Sequence, residues 1–96
     1  MLEAWNKAFE NKVRLSVMSL LMVRERLDFP GLKTLLNLTD GNLASHLAAL
    51  ERLGYIQVDK RFIGKKPNTS YRATQAGRSA FLAHLDVLEK FLRGGV

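Results

Sequence analysis

His46 and His84 are the two side chains best suited to proton transfer or metal ligation in this chain, and neither has the neighbours such chemistry needs. They fall on separate predicted helices, there is no cysteine, and no His/Glu pair stands at helical spacing, so no metal site is expected. Ser79 and His84 lie five apart on one helix, which turns them off a shared face and leaves no nucleophile and base pair. Gly64-Lys65 is not a phosphate loop. That pattern requires glycine at position 59, which is Asp, and a hydroxyl residue after the lysine, where Lys66 stands. No enzyme and no cofactor is expected, and the remaining chemistry is that of binding.

The net charge of +6 is unevenly distributed. Lys60, Arg61, Lys65, Lys66, Arg72 and Arg78 occupy a stretch without Asp or Glu, while the rest of the chain balances nine basic against nine acidic residues. Such a one-sided field attracts polyanions, nucleic acid first and an anionic membrane surface second. Ninety-six residues make one domain with a modest core, for which oligomerisation would be a benefit. The apolar content of 47% is that of a folded domain. Leu15 to Val23 is too short to cross a bilayer, and MLEAWNKAFENK lacks the plan of a secretion signal, so a cytoplasmic protein is expected and the N-x-S/T matches at Asn37 and Asn68 are coincidental.

The elements that must position these residues follow from period and punctuation. Trp5 to Arg24 has a helical pattern with apolar residues on two sides, Trp5, Phe9, Val13 and Val17 among them. Leu27-Asp28-Phe29 is a short extended segment stopped by Pro30, and Gly31 to Asn37 a short helix. Thr39 or Asp40 caps the next helix and Gly54 ends it, with Leu43, Leu47 and Leu50 buried. Gly41, Ser45, Ala48 and Arg52 then face outward, flanked by Asn42 and Ala49. That face is small and hydrogen-bonding where a solvated face would carry Lys and Glu. Tyr55–Phe62 and Thr69–Thr74 alternate as strands, joined by a basic turn over Ile63 to Asn68. Thr74 opens a last helix, Gln75 to Leu92, with a stripe of Phe81, Leu85, Leu88 and Leu92 widened by His84 and Phe91. A homodimer is expected, with Trp5, Phe9, Leu85, Leu88 and Leu92 at its interface.

The order helix, strand, helix, helix, hairpin, helix is an α+β, mainly α, arrangement that resembles the winged helix-turn-helix. The stretch from Leu27 to Arg78 is similar to the small winged-helix regulators related to the MarR and ArsR families. Leu38, Thr39, Leu43, His46, Leu47, Leu50, Glu51, Gly54, Tyr55 and Ile56 match their pattern, as do Tyr71, Thr74 and Gly77. Ala44 stands where a serine is common. The resemblance covers residues 13 to 92 and implies a DNA-binding transcription regulator, commonly a homodimer, with 40–53 as recognition helix and 60–70 as wing. Metal sensing of the ArsR kind has no ligand set here.

Under that resemblance the small helix face acquires a purpose. A major groove about 12 Å wide admits one helix, whose first turns meet base edges. Asn42 suits adenine, Ser45 either base type, and Gly41, Ala48 and Ala49 close approach and thymine methyls. Asp40 and Arg52 belong to the same helix, and Lys33, Thr34 and Thr39 are placed for phosphates. Lys60, Arg61, Lys65 and Lys66 would follow the backbone or enter a minor groove. The other readings are a winged-helix interaction module that meets an acidic protein and, third, an RNA binder, which the missing aromatic platform disfavours. No residue names an effector ligand, and no membrane contact is expected.

Overall fold

A computed structural model describes residues 2–94. The chain runs through two short 3-10 turns, Leu2–Ala4 and Lys7–Glu10, then α1 (Lys12–Val23), β1 (Leu27–Asp28), α2 (Phe29–Leu36), α3 (Asp40–Arg52), β2 (Ile56–Ile63), β3 (Lys66–Ala73) and α4 (Gln75–Leu92). The strands form one antiparallel sheet in the order β1-β3-β2. This is the winged helix-turn-helix topology, with β2 and β3 as the wing. Among the described residues no helix is long and apolar enough to cross a membrane.

The core lies where α1, α2, α3 and the base of the sheet converge. Val13, Val17, Met18 and Leu21 of α1 meet Leu32 of α2, Leu43, Leu47 and Leu50 of α3, and Ile56 and Tyr71 of the sheet. The leucine stripe of α3 is buried as its spacing predicts, and Leu53, at its edge, is half exposed.

The single N-terminal helix expected over Trp5 to Arg24 is instead divided, because two asparagines cap in mid-pattern. Asn6 Oδ1 accepts from the Ala8 N–H, and Asn11 Oδ1 accepts from the N–H groups of Val13 and Arg14. A side chain that satisfies free backbone donors starts a helix and competes with its continuation. The division folds Phe9 back into its own core, 2% exposed, against Tyr55, Phe81 and His84. Phe9 is therefore spent within the chain and is not available to a partner. Trp5 is half buried, 4.6 Å from the His84 ring, with its indole N–H donated to Glu10. The second apolar side of α1 is likewise covered from within, since Leu15, Leu20 and Met22 pack against the same core.

Phe29, expected in the short strand, opens α2, because Asp28 accepts from the Gly31 N–H and Pro30 fits a first helical turn. Asn37 ends that helix at φ 53°. The wing is longer than its alternation suggests. Its strands pair from Ile56 with Ala73 to Ile63 with Lys66, which leaves a two-residue turn of Gly64 and Lys65. Gly64 has φ 64°, the left-handed conformation that a tight hairpin asks of its first turn residue. Pro67 is tolerated opposite Phe62 because β1 reaches only Ser70 and Tyr71, so that end of β3 has one neighbour.

On α4 the buried face is Gly77, Phe81, His84 and Val87, turned from the expected Phe81, Leu85, Leu88, Leu92 stripe. Leu85 is 40% and Leu92 89% exposed, with Leu88 half buried. His84 takes the inner place because its Nδ1 accepts from the backbone N–H of Asn6 at 3.1 Å, which fastens the N-terminal segment to the last helix.

Candidate nucleic-acid interface

The start of α3 is built by local capping. Thr39 is the capping residue, and its hydroxyl accepts from the Asn42 N–H at 3.2 Å. Asp40, the other cap candidate, is the first helical residue and forms an ion pair with Lys33 of α2 at 2.8 Å. The loop between these helices therefore brings Lys33, Thr39, Asp40, Gly41 and Asn42 together. All are exposed, as are Thr34 and Ser45. The Ser45 hydroxyl donates back to the Asn42 carbonyl at 3.1 Å, so its oxygen lone pairs remain for a ligand.

Farther along α3, Ala44, Ala48 and Glu51 line a shallow groove together with Val58, Lys60, Thr69 and Tyr71 of the hairpin. Helix face and wing base are thus walls of one groove. Burial, and then the Glu51 carboxylate, push the Tyr71 phenol up, so Tyr71 is neutral there.

Six cations stand in the acid-free stretch, and the fold uses them in two ways. Arg72 lies 3.7 Å from Asp59, which also pairs with Arg26 at 3.3 Å, and Arg78 reaches the last carbonyls of α1. Lys60, Arg61, Lys65 and Lys66 form no ion pair among the described residues and are exposed along the wing. Of these six, the four left without an ion pair or a carbonyl contact among the described residues all stand on the hairpin.

Arg52 and Ala49 are placed apart from the start of α3. They line a different groove, with Asn6, Lys7, Ala8, Arg14 and Leu53, at the opposite end of the helix. Arg52 is ten residues beyond Asn42 on α3, about 15 Å along the helix axis, and so stands away from the first turn. Sequence reading misses this grouping of Lys7, Arg14 and Arg52, because it depends on where the divided N-terminal segment folds. His46 is half buried on the α1 side of α3, where Arg14 donates to its Nδ1 at 3.2 Å. Burial first, and the Arg14 guanidinium second, hold the His46 pKa below its usual value.

Why a threonine and a glycine open α4 is also visible. Thr74 Oγ1 donates to the Gly54 carbonyl at 2.6 Å and accepts from the Gly77 N–H, while the Thr74 N–H donates to the Tyr55 carbonyl. A β-carbon at Gly77 would overlap that same Tyr55 carbonyl. The Gly54-Tyr55 and Thr74 to Gly77 segments are two sides of one junction, which sets the end of α3 against α4 and the base of the wing.

A capped helix with a small, exposed first turn, two helices packed behind it, and a cationic hairpin beside it define a winged-helix DNA-binding domain. Residues 13–92 match the family described as winged helix DNA-binding domain, and the chain belongs to that family. An uncharacterized protein of Methanocaldococcus jannaschii is 41% identical over 75 residues, 78% of this chain and 82% of that protein. The structure of a transcriptional regulator homologue from Pyrococcus horikoshii is similar with a TM-score of 0.84 and 33% identity, covering 91% of this chain and 86% of that one. The apo form of Escherichia coli MarR shares the fold with a TM-score of 0.70 at 16% identity, over 98% of this chain and 75% of its own. The winged-helix resemblance in the sequence thus stands, and the family is one of DNA-binding domains.

Proposed function

We propose that the protein is a transcriptional regulator that binds double-stranded DNA as a homodimer, one recognition helix to each half-site of a pseudo-palindrome. The observation that carries this reading is the exposed start of α3 beside a wing whose Lys60, Arg61, Lys65 and Lys66 have no ion-pair partner among the described residues. The first turns of α3 enter the major groove, where Asn42 and Ser45 read base edges and Gly41 allows close approach. Thr39, Thr34 and the helix N-terminus meet phosphates, and the wing cations follow the backbone into the adjacent minor groove. Arg52 and Ala49, at the far end of α3, have no part in the base contacts.

The regulatory role is supported by the similar Pyrococcus horikoshii protein, which is a transcriptional regulator homologue. The second copy docks on α4. Leu82, Leu85 and Leu92 stand on one flank of that helix, 56%, 40% and 89% exposed, and Phe91 is 43% exposed. Such a flank buried against its equivalent accounts for side chains that the chain's own core leaves uncovered.

Fluorescence anisotropy against a random-sequence duplex and a pool of genomic fragments, at low and physiological salt, tests the proposal. Micromolar or tighter binding with a steep salt slope is expected. A folded protein that binds no duplex even at low salt, and retains an acidic protein instead, would overturn it in favour of an interaction module.

A further inference from the structure

The wing carries apolar side chains that no part of the fold uses. Phe62 is 72% and Ile63 56% exposed, both within the cationic run of Lys60, Arg61, Lys65 and Lys66. Residues that pair directly across two strands share a face. Phe62 therefore stands beside Pro67, on the face that also holds Lys60 with Thr69 and Val58 with Tyr71. Nearer the base this face turns onto α3, where Val58, Lys60, Thr69 and Tyr71 share the groove with Ala44 and Ala48. Beyond Lys60 the hairpin outruns the helix, and Phe62 and Pro67 project past it on the recognition-helix side.

A paired phenyl and proline near the tip of a hairpin do nothing for the core. They are a liability, because an apolar strand end with few neighbours invites pairing with other chains. The surrounding lysines guard against that and also identify the occupant. A surface that is apolar in the middle and cationic around it complements a groove with apolar sugar and base faces between two rows of phosphates.

We propose that Phe62, backed by Pro67, is an apolar wedge that enters the minor groove and partly unstacks a base step while the neighbouring cations hold the two phosphate rows. The inference rests on the reading of the protein as a duplex binder and adds to it a contact that is not electrostatic. Inserted apolar side chains kink DNA at the most easily unstacked steps, the pyrimidine-purine ones. The wing thereby selects sequence by deformability, at positions where α3 touches no base.

The test compares wild type with Phe62→Ala and Phe62→Ser on two labelled duplexes of about 30 base pairs, one rich in TpA steps and one rich in G·C. Anisotropy titrations at several salt concentrations give affinity and slope, and energy transfer between end labels gives the bend. Burial of one phenyl ring predicts that Phe62→Ala weakens binding to the TpA-rich duplex by about ten- to a hundredfold. The salt slope should not change, the bend should be lost, and the G·C-rich duplex should be bound almost as before. Because Phe62 is exposed, neither variant should alter the melting temperature. Wild-type binding that Phe62→Ala leaves unchanged in affinity and bend overturns the wedge and spares the duplex reading. A variant that sediments as a monomer where wild type is a dimer also overturns the wedge, assigning Phe62 to a protein interface. No duplex binding by wild type overturns both.

Discussion

Lys33 Nζ lies 2.8 Å from the Asp40 carboxylate, so a cation in the last turn of α2 is held by an acid in the first turn of α3. Asp40 is 73% exposed at its side chain and faces the same region as Thr39 and Asn42. A carboxylate there favours the helix N-terminus but repels phosphate, and its ion pair engages the neighbouring lysine. Asp40→Asn should therefore tighten binding to every duplex by about three- to tenfold, near 1 kcal/mol for an exposed charge, and raise the salt slope. Looser binding by the variant, measured by anisotropy, would place Asp40 in a base contact.

Neutralising the wing should have a different signature from trimming the helix. Lys65→Gln with Lys66→Gln should weaken all duplexes alike and reduce the salt slope by about 2, at ~0.9 for each phosphate left without its lysine. Asn42→Ala should leave the slope alone and cost ~1–3 kcal/mol of discrimination at one base pair. A competition titration against single-base variants of a selected site separates the two effects.

Gly77 lies so close to Tyr55 that the backbone carbonyl occupies the place of its β-carbon. Since neither helix α4 nor the turn after Gly54 can move without breaking the Thr74 bonds, Gly77→Ala should destabilise the fold by about 2–3 kcal/mol. The melting temperature should fall by roughly 10–20 °C for a domain of this size. Gly41→Ala, where a β-carbon meets open space, is the control and should leave stability within about 1 kcal/mol of wild type.

His46 supplies a pH dependence of definite sign. Its folded-state pKa is lowered, by burial first and by Arg14 second, so the unfolded chain takes up a proton that the folded one resists. The stability tied to neutral His46 is complete above its unfolded value, near 6.5, and is lost as pH falls from there through the lowered folded value. Urea midpoints should drop between about pH 7.5 and pH 5, and His46→Gln should flatten that drop. A wild-type midpoint that rises on acidification would contradict the neutral Nδ1 acceptor.

The elements most legible in the sequence are those whose signals are local. Thr39, Gly54 and Thr74 mark helix ends by hydrogen bonds and backbone conformation that hardly depend on the rest of the chain, and the α3 stripe follows from spacing alone. The N-terminal segment is misleading because apolar spacing continues through Asn6 and Asn11, whose side chains interrupt it by capping. The wing reads too short because its outer half, from Lys60 to Lys66, has no core to impose alternation and is held by backbone pairing.

The interface divides in the same way. Residue order by itself determined a helix with a small outward face, a basic hairpin after it, and the turns that join them, because caps, period and charge are properties of neighbours in the chain. Only the tertiary structure decided which charges are free and which apolar groups are covered. Arg72, Arg78 and Lys33 are engaged by residues remote in sequence or on another helix. Phe9 is buried by α4 and Tyr55, and Leu85 is turned out because His84 is held inward by Asn6. Charge and hydrophobicity belong to a residue, but their availability to a ligand is set by what the folded chain places within a few ångströms of it.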